Sequence, residues 1–211
     1  ARDHSGTLNV VLDADVHVNM LGPCFASHVT VKMLSHPLHF PNPEEVAVAR
    51  GRTWLAHQSW HLNRPNHALI GIGVFDRGHR LYEFARTEGQ RSSSDPFQRD
   101  LQWLVALCKE FTTPIYTPVC DVVNNLVYVK PPRGTAIPTH AEGRIRKLID
   151  RLNSRIFTVT PEQLRAVRNI MVVAGTVRKA LAIRQLLETP EYKIRFLCTD
   201  RKAAEAIIDA S

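Results

Sequence analysis

Apolar residues fall along this chain in two alternating rhythms. Short continuous runs at 68–72, 119–123, 126–129, 170–174 and 194–198 have the length of buried strands and stop at glycine or polar residues. Between them, apolar positions three and four apart mark amphipathic helices. A further run at 16–21 reads as a strand ending at Gly22. Asn42-Pro43-Glu44-Glu45 combines a cap, a first-position proline and an acid at the third position, which predicts a helix running to about Trp60. A short helix is expected over 78–86, then a polar loop over 87–95, and Asp95-Pro96 opens a helix to about Glu110. Asn124-Asn125 is a turn-prone pair between two strands, and residues 130–139 hold three prolines and a glycine, which makes them an extended connection. Helices follow over 140–152 and 161–168, the second behind the capping box Thr160-Pro161-Glu162-Gln163.

The last segment is the most informative. The run 170–174 meets Gly175, and a helical pattern begins at once with Lys179 near its first turn. The run 194–198 ends in Thr199-Asp200 and leads into another helical pattern. Strand–Gly–helix–strand–Asp–helix is a βαβ crossover, which requires parallel strands. Strands alternating with helices over the whole chain argue for a layered α/β fold in one domain spanning 1–211.

Composition is that of a globular domain, with 44% hydrophobic and 22% charged residues. There is no apolar run of the roughly 18 residues a membrane span needs, and the N-terminus has no basic-then-apolar signal pattern. Cys24, Cys108, Cys120 and Cys198 lie far apart, as buried free thiols do, so a reducing, cytoplasmic setting is expected. The formal charge of +7 raises the question of nucleic acid, because seven basic residues between 140 and 168 (Arg144, Arg146, Lys147, Arg151, Arg155, Arg165, Arg168) face three acids. A solvated helical face with anion-binding side chains accounts for them, and no helix-turn-helix, zinc-finger or leucine-zipper pattern is present.

Ligands of parallel sheets bind where strands end and helices begin, because free N–H groups and the helix dipole favour anions there. Gly175 would let backbone approach such a ligand, and Lys179 would add a positive charge unless it is an ordinary exposed lysine. Asp121, inside an apolar strand, needs donors, which a sugar hydroxyl or an arginine would supply. Asp200 is a candidate ligand or an ordinary N-cap. His57 and His61 have the helical spacing of a shared metal site, but the residues between them (Gln58, Ser59, Trp60) read as a helix surface, and neither a metal nor another cofactor is expected.

Four stretches, in order, resemble the effector-binding domain of SorC/DeoR-type sugar-sensing bacterial transcriptional regulators. They are His67-Ala68-Leu69-Ile70-Gly71-Ile72-Gly73, Val119-Cys120-Asp121-Val122, residues 152–164, and the strand–Gly–Lys–strand–Thr–Asp segment at 169–209. The resemblance implies a Rossmann-like three-layer fold with a mostly parallel sheet, similar to sugar-phosphate isomerases and deaminases. It implies a binding rather than a catalytic role, with a phosphorylated sugar or polyol as effector and sugar-phosphate isomerase or deaminase chemistry as the alternative. It also implies DNA contact through a separate N-terminal domain and assembly as a homodimer or homotetramer without membrane involvement. Carried over residue by residue, it points to Gly175, Thr176 and Lys179 at the phosphate and Asp121 at a sugar hydroxyl. It adds Asn19 and Gly22 at the first strand end, where Pro23 stands in place of a second glycine. Thr7, within Ser5-Gly6-Thr7-Leu8, matches the family's phosphate loop, and Arg80, or Arg77, matches an arginine beyond the Gly-Ile-Gly strand.

Overall fold

The computed structural model describes residues 6–9, 29–32, 39–51, 67–87 and 95–209. Strands β1 (Gly6–Asn9) and β2 (Val29–Lys32) pair in parallel as a separate two-stranded sheet. Helix α1 (Pro43–Gly51) begins at the expected cap: Glu45 N–H donates to Asn42 Oδ1, and the Asn42 amide donates back to Glu45 Oε1, both at 2.9 Å. Then follow β3 (His67–Val74), α2 (Arg80–Thr87), α3 (Pro96–Phe111), β4 (Val119–Val122) and β5 (Asn125–Tyr128). The chain continues through α4 (Thr139–Asn153), α5 (Pro161–Ala166), β6 (Asn169–Val173), a 3-10 turn at Val177–Lys179, α6 (Ala180–Leu187), β7 (Ile194–Cys198) and α7 (Arg201–Asp209).

Five strands form the main sheet in the order β5-β4-β3-β6-β7. The β3–β6–β7 portion is parallel and carries the crossover read from the sequence, while the β4–β5 hairpin adds an antiparallel edge. Side chains alternate across a strand, so a strand covered on both faces is apolar throughout. One face is covered by α3 and α4, whose Phe97, Leu101, Leu104, Ile145 and Leu152 pack with Val119 and Leu126. The other packs Ile70, Ile72, Cys120, Val122, Ile170 and Val172 against Leu164 of α5 and Ala182, Ile183 and Leu186 of α6. The fold is therefore the expected three-layer α/β arrangement, with a parallel centre.

The helix starts follow their signals. Asp95 Oδ1 accepts from Phe97 N–H at 2.9 Å. The Thr160 box is closed in both directions, Gln163 N–H to Thr160 Oγ1 at 3.2 Å and Thr160 N–H to Gln163 Oε1 at 2.9 Å. The hairpin turn sits one residue earlier than the Asn124-Asn125 pair suggests. Val123 and Asn124 take the positive φ values of 53° and 63° that a two-residue hairpin demands, and the Asn125 side chain instead donates to the Val122 and Val159 carbonyls. Thr7 lies within β1, opposite Thr30, and not in a loop. The strand expected at 16–21 with Asn19 and Gly22, the continuation of α1 towards Trp60, the histidine pair His57/His61 and Cys24 all lie outside the described residues.

Candidate functional site

At the end of β3 the sequence runs Gly73-Val74-Phe75 and then turns through Gly78, whose φ of +100° needs a residue without Cβ. The turn brings His79 back over the strand. Gly73 is in register with Asp121 on β4, and a Cβ on Gly73 would meet Asp121 Cβ at 3.3 Å and His79 Cδ2 at 3.4 Å. His79 Nε2 lies 3.0 Å from Asp121 Oδ2, with the two side chains 10% and 15% exposed. An ionised Asp121 accepts, so Nε2 carries the proton. The buried carboxylate thus has a donor, but the donor is a histidine and not one of the arginines considered from the sequence. Asp121 Oδ1 accepts from no described residue, and the buried His79 Nδ1 has no partner among them. Buried polar atoms without partners are uncommon and concentrate at functional positions.

One strand over, β6 ends at Val173, and the N–H of Ala174 just beyond it still donates to Cys198 O of β7 at 3.1 Å. Beyond it the chain departs from the expected geometry. Thr176 has φ +77°, and Val177–Lys179 form a single 3-10 turn, so Lys179 stands at the N-cap of α6 instead of within its first turn. The cause is Asp200. Its Oδ2 accepts the Thr176 N–H at 2.5 Å, and its Oδ1 accepts the Ala203 N–H at 2.9 Å, capping α7. A Cβ on Gly175 would lie 2.5 Å from Asp200 Oδ2, so this glycine admits a carboxylate of the protein itself. The Thr176 N–H, followed by that of Ala203, holds the Asp200 carboxyl below the ordinary aspartate range. Thr199, just before it, has a buried hydroxyl with no partner among the described residues.

Gly175, Thr176 and Lys179 therefore gather at one edge of the sheet, and Asp121 lies two strands away, across β3, from the strand that carries them. Among the described residues Lys179 carries no ion pair. Arg80 begins α2, exposed, one residue after His79. Three residues at this edge were not singled out from the sequence: His79, Asp76 and Arg178, whose guanidinium bonds Asp76 at 2.6 Å. The signals available were the Gly78-His79 pair after a strand end and the doubled cation Arg178-Lys179. Neither reveals its partner, because those partners lie 42 residues or more away in the chain.

The basic stretch is absorbed largely within the fold. Arg151 and Arg155 both bond the buried Asp100, at 3.0 and 3.1 Å, and Arg146 pairs with Glu142 while lying 4.2 Å over the Tyr128 ring. Cys108 and Cys120 are buried free thiols pushed up by desolvation, whereas Cys198 is free but exposed, unlike the buried thiol the sequence suggested. Among the described residues no helix is long and apolar enough to cross a membrane, and no group of three or more His, Cys, Asp or Glu is placed to hold a metal ion.

No protein-family model matches the sequence, and no curated protein matches it either. Solved structures do match in fold. A transcriptional regulator from Streptococcus pneumoniae superposes with a TM-score of 0.60 at 13% identity, over 91% of this chain and 61% of that one. A transcriptional-repressor domain from Vibrio fischeri, named for sugar binding, gives 0.60 at 15% identity, over 98% and 74%. The full-length sorbitol operon regulator SorC from Klebsiella pneumoniae gives 0.54 at 15% identity, over 92% and 51%. This chain spans about three fifths of the first regulator's length and half of the last. Its fold is the one these transcriptional regulators, SorC among them, share.

Proposed function

We propose that this chain is the ligand-sensing domain of a bacterial transcriptional regulator, and that its effector is a phosphorylated sugar or a related polyol. In this reading Lys179, on the turn that Gly175 and Thr176 build, receives the phosphate, and Asp121 Oδ1, which accepts from no described residue, takes a hydrogen bond from a sugar hydroxyl. Arg80, Thr7, Asn19 and Gly22 complete the expected contact set. Binding would bias an assembly of two or four subunits between states that hold and release DNA through a separate domain. The observation that carries the reading is a pair of chemistries on one sheet: among the described residues, a lysine without an ion pair on the β6 loop and, two strands away on β4, a largely buried carboxylate with one unused oxygen. The regulator fold supports it.

Calorimetric titration with a panel of sugar phosphates tests it. A member of the panel is expected to bind, and Lys179→Ala is expected to weaken that binding by about 1.5–3 kcal/mol, the scale of a charge-assisted hydrogen bond. Unchanged affinity in a folded Lys179→Ala protein would remove Lys179 from the site. A second reading, sugar-phosphate isomerase or deaminase chemistry, is favoured by one observation, the buried His79–Asp121 pair.

A further inference from the structure

The loops that follow β3 and β6 leave the same end of the sheet from adjacent parallel strands, with Gly71 of β3 in register with Val173, the last residue of β6. Across that gap Arg178 Nη1 meets Asp76 Oδ2 at 2.6 Å, with the side chains 46% and 20% exposed. Among the described residues, neither side chain makes another hydrogen bond or ion pair. The edge therefore carries two cations, Arg178 and Lys179, and two carboxylates, Asp76 and Asp200. The carboxylates are not equivalent. Asp200 accepts two backbone N–H groups and caps α7, so it cannot leave without unmaking the Thr176 turn. Asp76 is held by one guanidinium only.

We propose that Asp76 stands in for the ligand's phosphoryl group: it occupies Arg178 while the site is empty, and a phosphoryl dianion displaces it to bind between Arg178 and Lys179. This inference rests on the reading that a phosphate binds at this edge. A guanidinium fork donates to phosphate oxygens in pairs, as it does to carboxylate oxygens. An ion pair this exposed costs little to break. A dianion flanked by two cations outcompetes a single carboxylate, whereas a singly charged sugar acid gains no such advantage. Asp76 thus sets a threshold that selects phosphorylated over merely acidic ligands.

The test uses the intact 211-residue chain, with inorganic phosphate and gluconate as probes in calorimetry. Asp76→Asn removes the internal competitor and is expected to tighten phosphate binding about five- to tenfold, the effect of one charge about 6 Å away in a partly screened setting. It is also expected to narrow the preference for phosphate over gluconate. Arg178→Ala is expected to weaken phosphate binding at least about tenfold, and Arg178→Lys less so. Both changes should leave the melting temperature of the ligand-free protein close to that of the parent. If Asp76→Asn leaves phosphate affinity unchanged or lowers it while Lys179→Ala still weakens binding, the displacement idea is overturned and the phosphate site stands. If Lys179→Ala has no effect, or neither parent nor Asp76→Asn binds phosphate, both readings are overturned together. Binding that appears only in Asp76→Asn supports the displacement.

Discussion

Gly175 lacks a Cβ where the Asp200 carboxylate comes within 2.5 Å, and much of the site follows from that one contact. Asp200 draws in the Thr176 N–H, forces its φ to +77°, and thereby places Arg178 and Lys179 on a 3-10 turn ahead of α6. The backbone N–H groups of Thr176 and Ala203 hold this carboxyl below its ordinary pKa. A depressed carboxyl contributes stability above its unfolded value of roughly 3.9, and that contribution is lost as pH falls through the folded value. Asp200→Ala is therefore expected to melt below the parent at neutral pH, with the gap narrowing as the pH falls below the unfolded value of about 3.9. Thermal melts across that range check it, and a gap as wide in acid as at neutral pH would contradict the cap. At this scale the chain was partly legible. Lys179 and the capping role of Asp200 follow from local spacing, but the partner of Asp121 does not. His79 reaches it only because Gly78 turns the chain and Gly73 leaves room, and both conditions are tertiary.

Elements are held to each other by a small number of buried polar links, of which Asp100 is the clearest. It sits on α3 with its side chain 4% exposed, and Arg151 and Arg155 reach it from the last turn of α4 and the residues just beyond. Arg155 is itself mostly buried, at 15% exposure, and its Nε has no partner among the described residues, so losing the carboxylate would strand a cation in the interior. Removing one member of such a group is costly even where the intact group contributes little net stability. Asp100→Ala is expected to lower the unfolding free energy by about 3 kcal/mol, read as a shift of the urea midpoint. Arg151→Ala should cost about 1 kcal/mol or less, since that side chain is half exposed and Arg155 keeps Asp100 paired. Near-equal losses would mean that the carboxylate is not the hub. Helix starts at Asn42, Asp95 and Thr160 were readable because capping is local chemistry. The hairpin turn was not, because a β-branched residue at φ 53° runs against local preference. Val123 is held there from outside the turn: its carbonyl accepts from the Thr158 hydroxyl and the adjacent Val122 carbonyl from Asn125.

Among the described residues, the main sheet is covered on both faces at its β4–β5 end and less completely over β3, β6 and β7. Over β4 and β5 both faces are packed, but the row Leu69–Met171–Phe196, with Val173 beside it, stays 40–68% exposed on the α3 and α4 side of β3, β6 and β7. Parallel strands are ordinarily buried on both faces, so the apolar runs predicted buried strands correctly over one face and only in part over the other.

That architecture places its chemistry at the strand ends, where the same fold class can host either a sensor or a catalyst. The two differ in what a proton can reach. Isomerisation of a sugar phosphate needs a base with an exposed lone pair beside the substrate carbon. Here the His79 ring gives Nε2 to Asp121 at 3.0 Å and its buried Nδ1 has no partner among the described residues, so the imidazole lends orientation and Asp121 Oδ1 is the one open lone pair of the dyad. Lys179 is a donor and a charge. The expected behaviour is binding without turnover. A sugar phosphate that binds should raise native stability by about 2.7 kcal/mol at a hundredfold excess over its Kd, while product analysis of the same mixtures finds the substrate unchanged. Conversion of the sugar phosphate at a rate that His79→Ala abolishes, in a protein that still folds and binds, would establish the dyad as catalytic and replace the sensor reading.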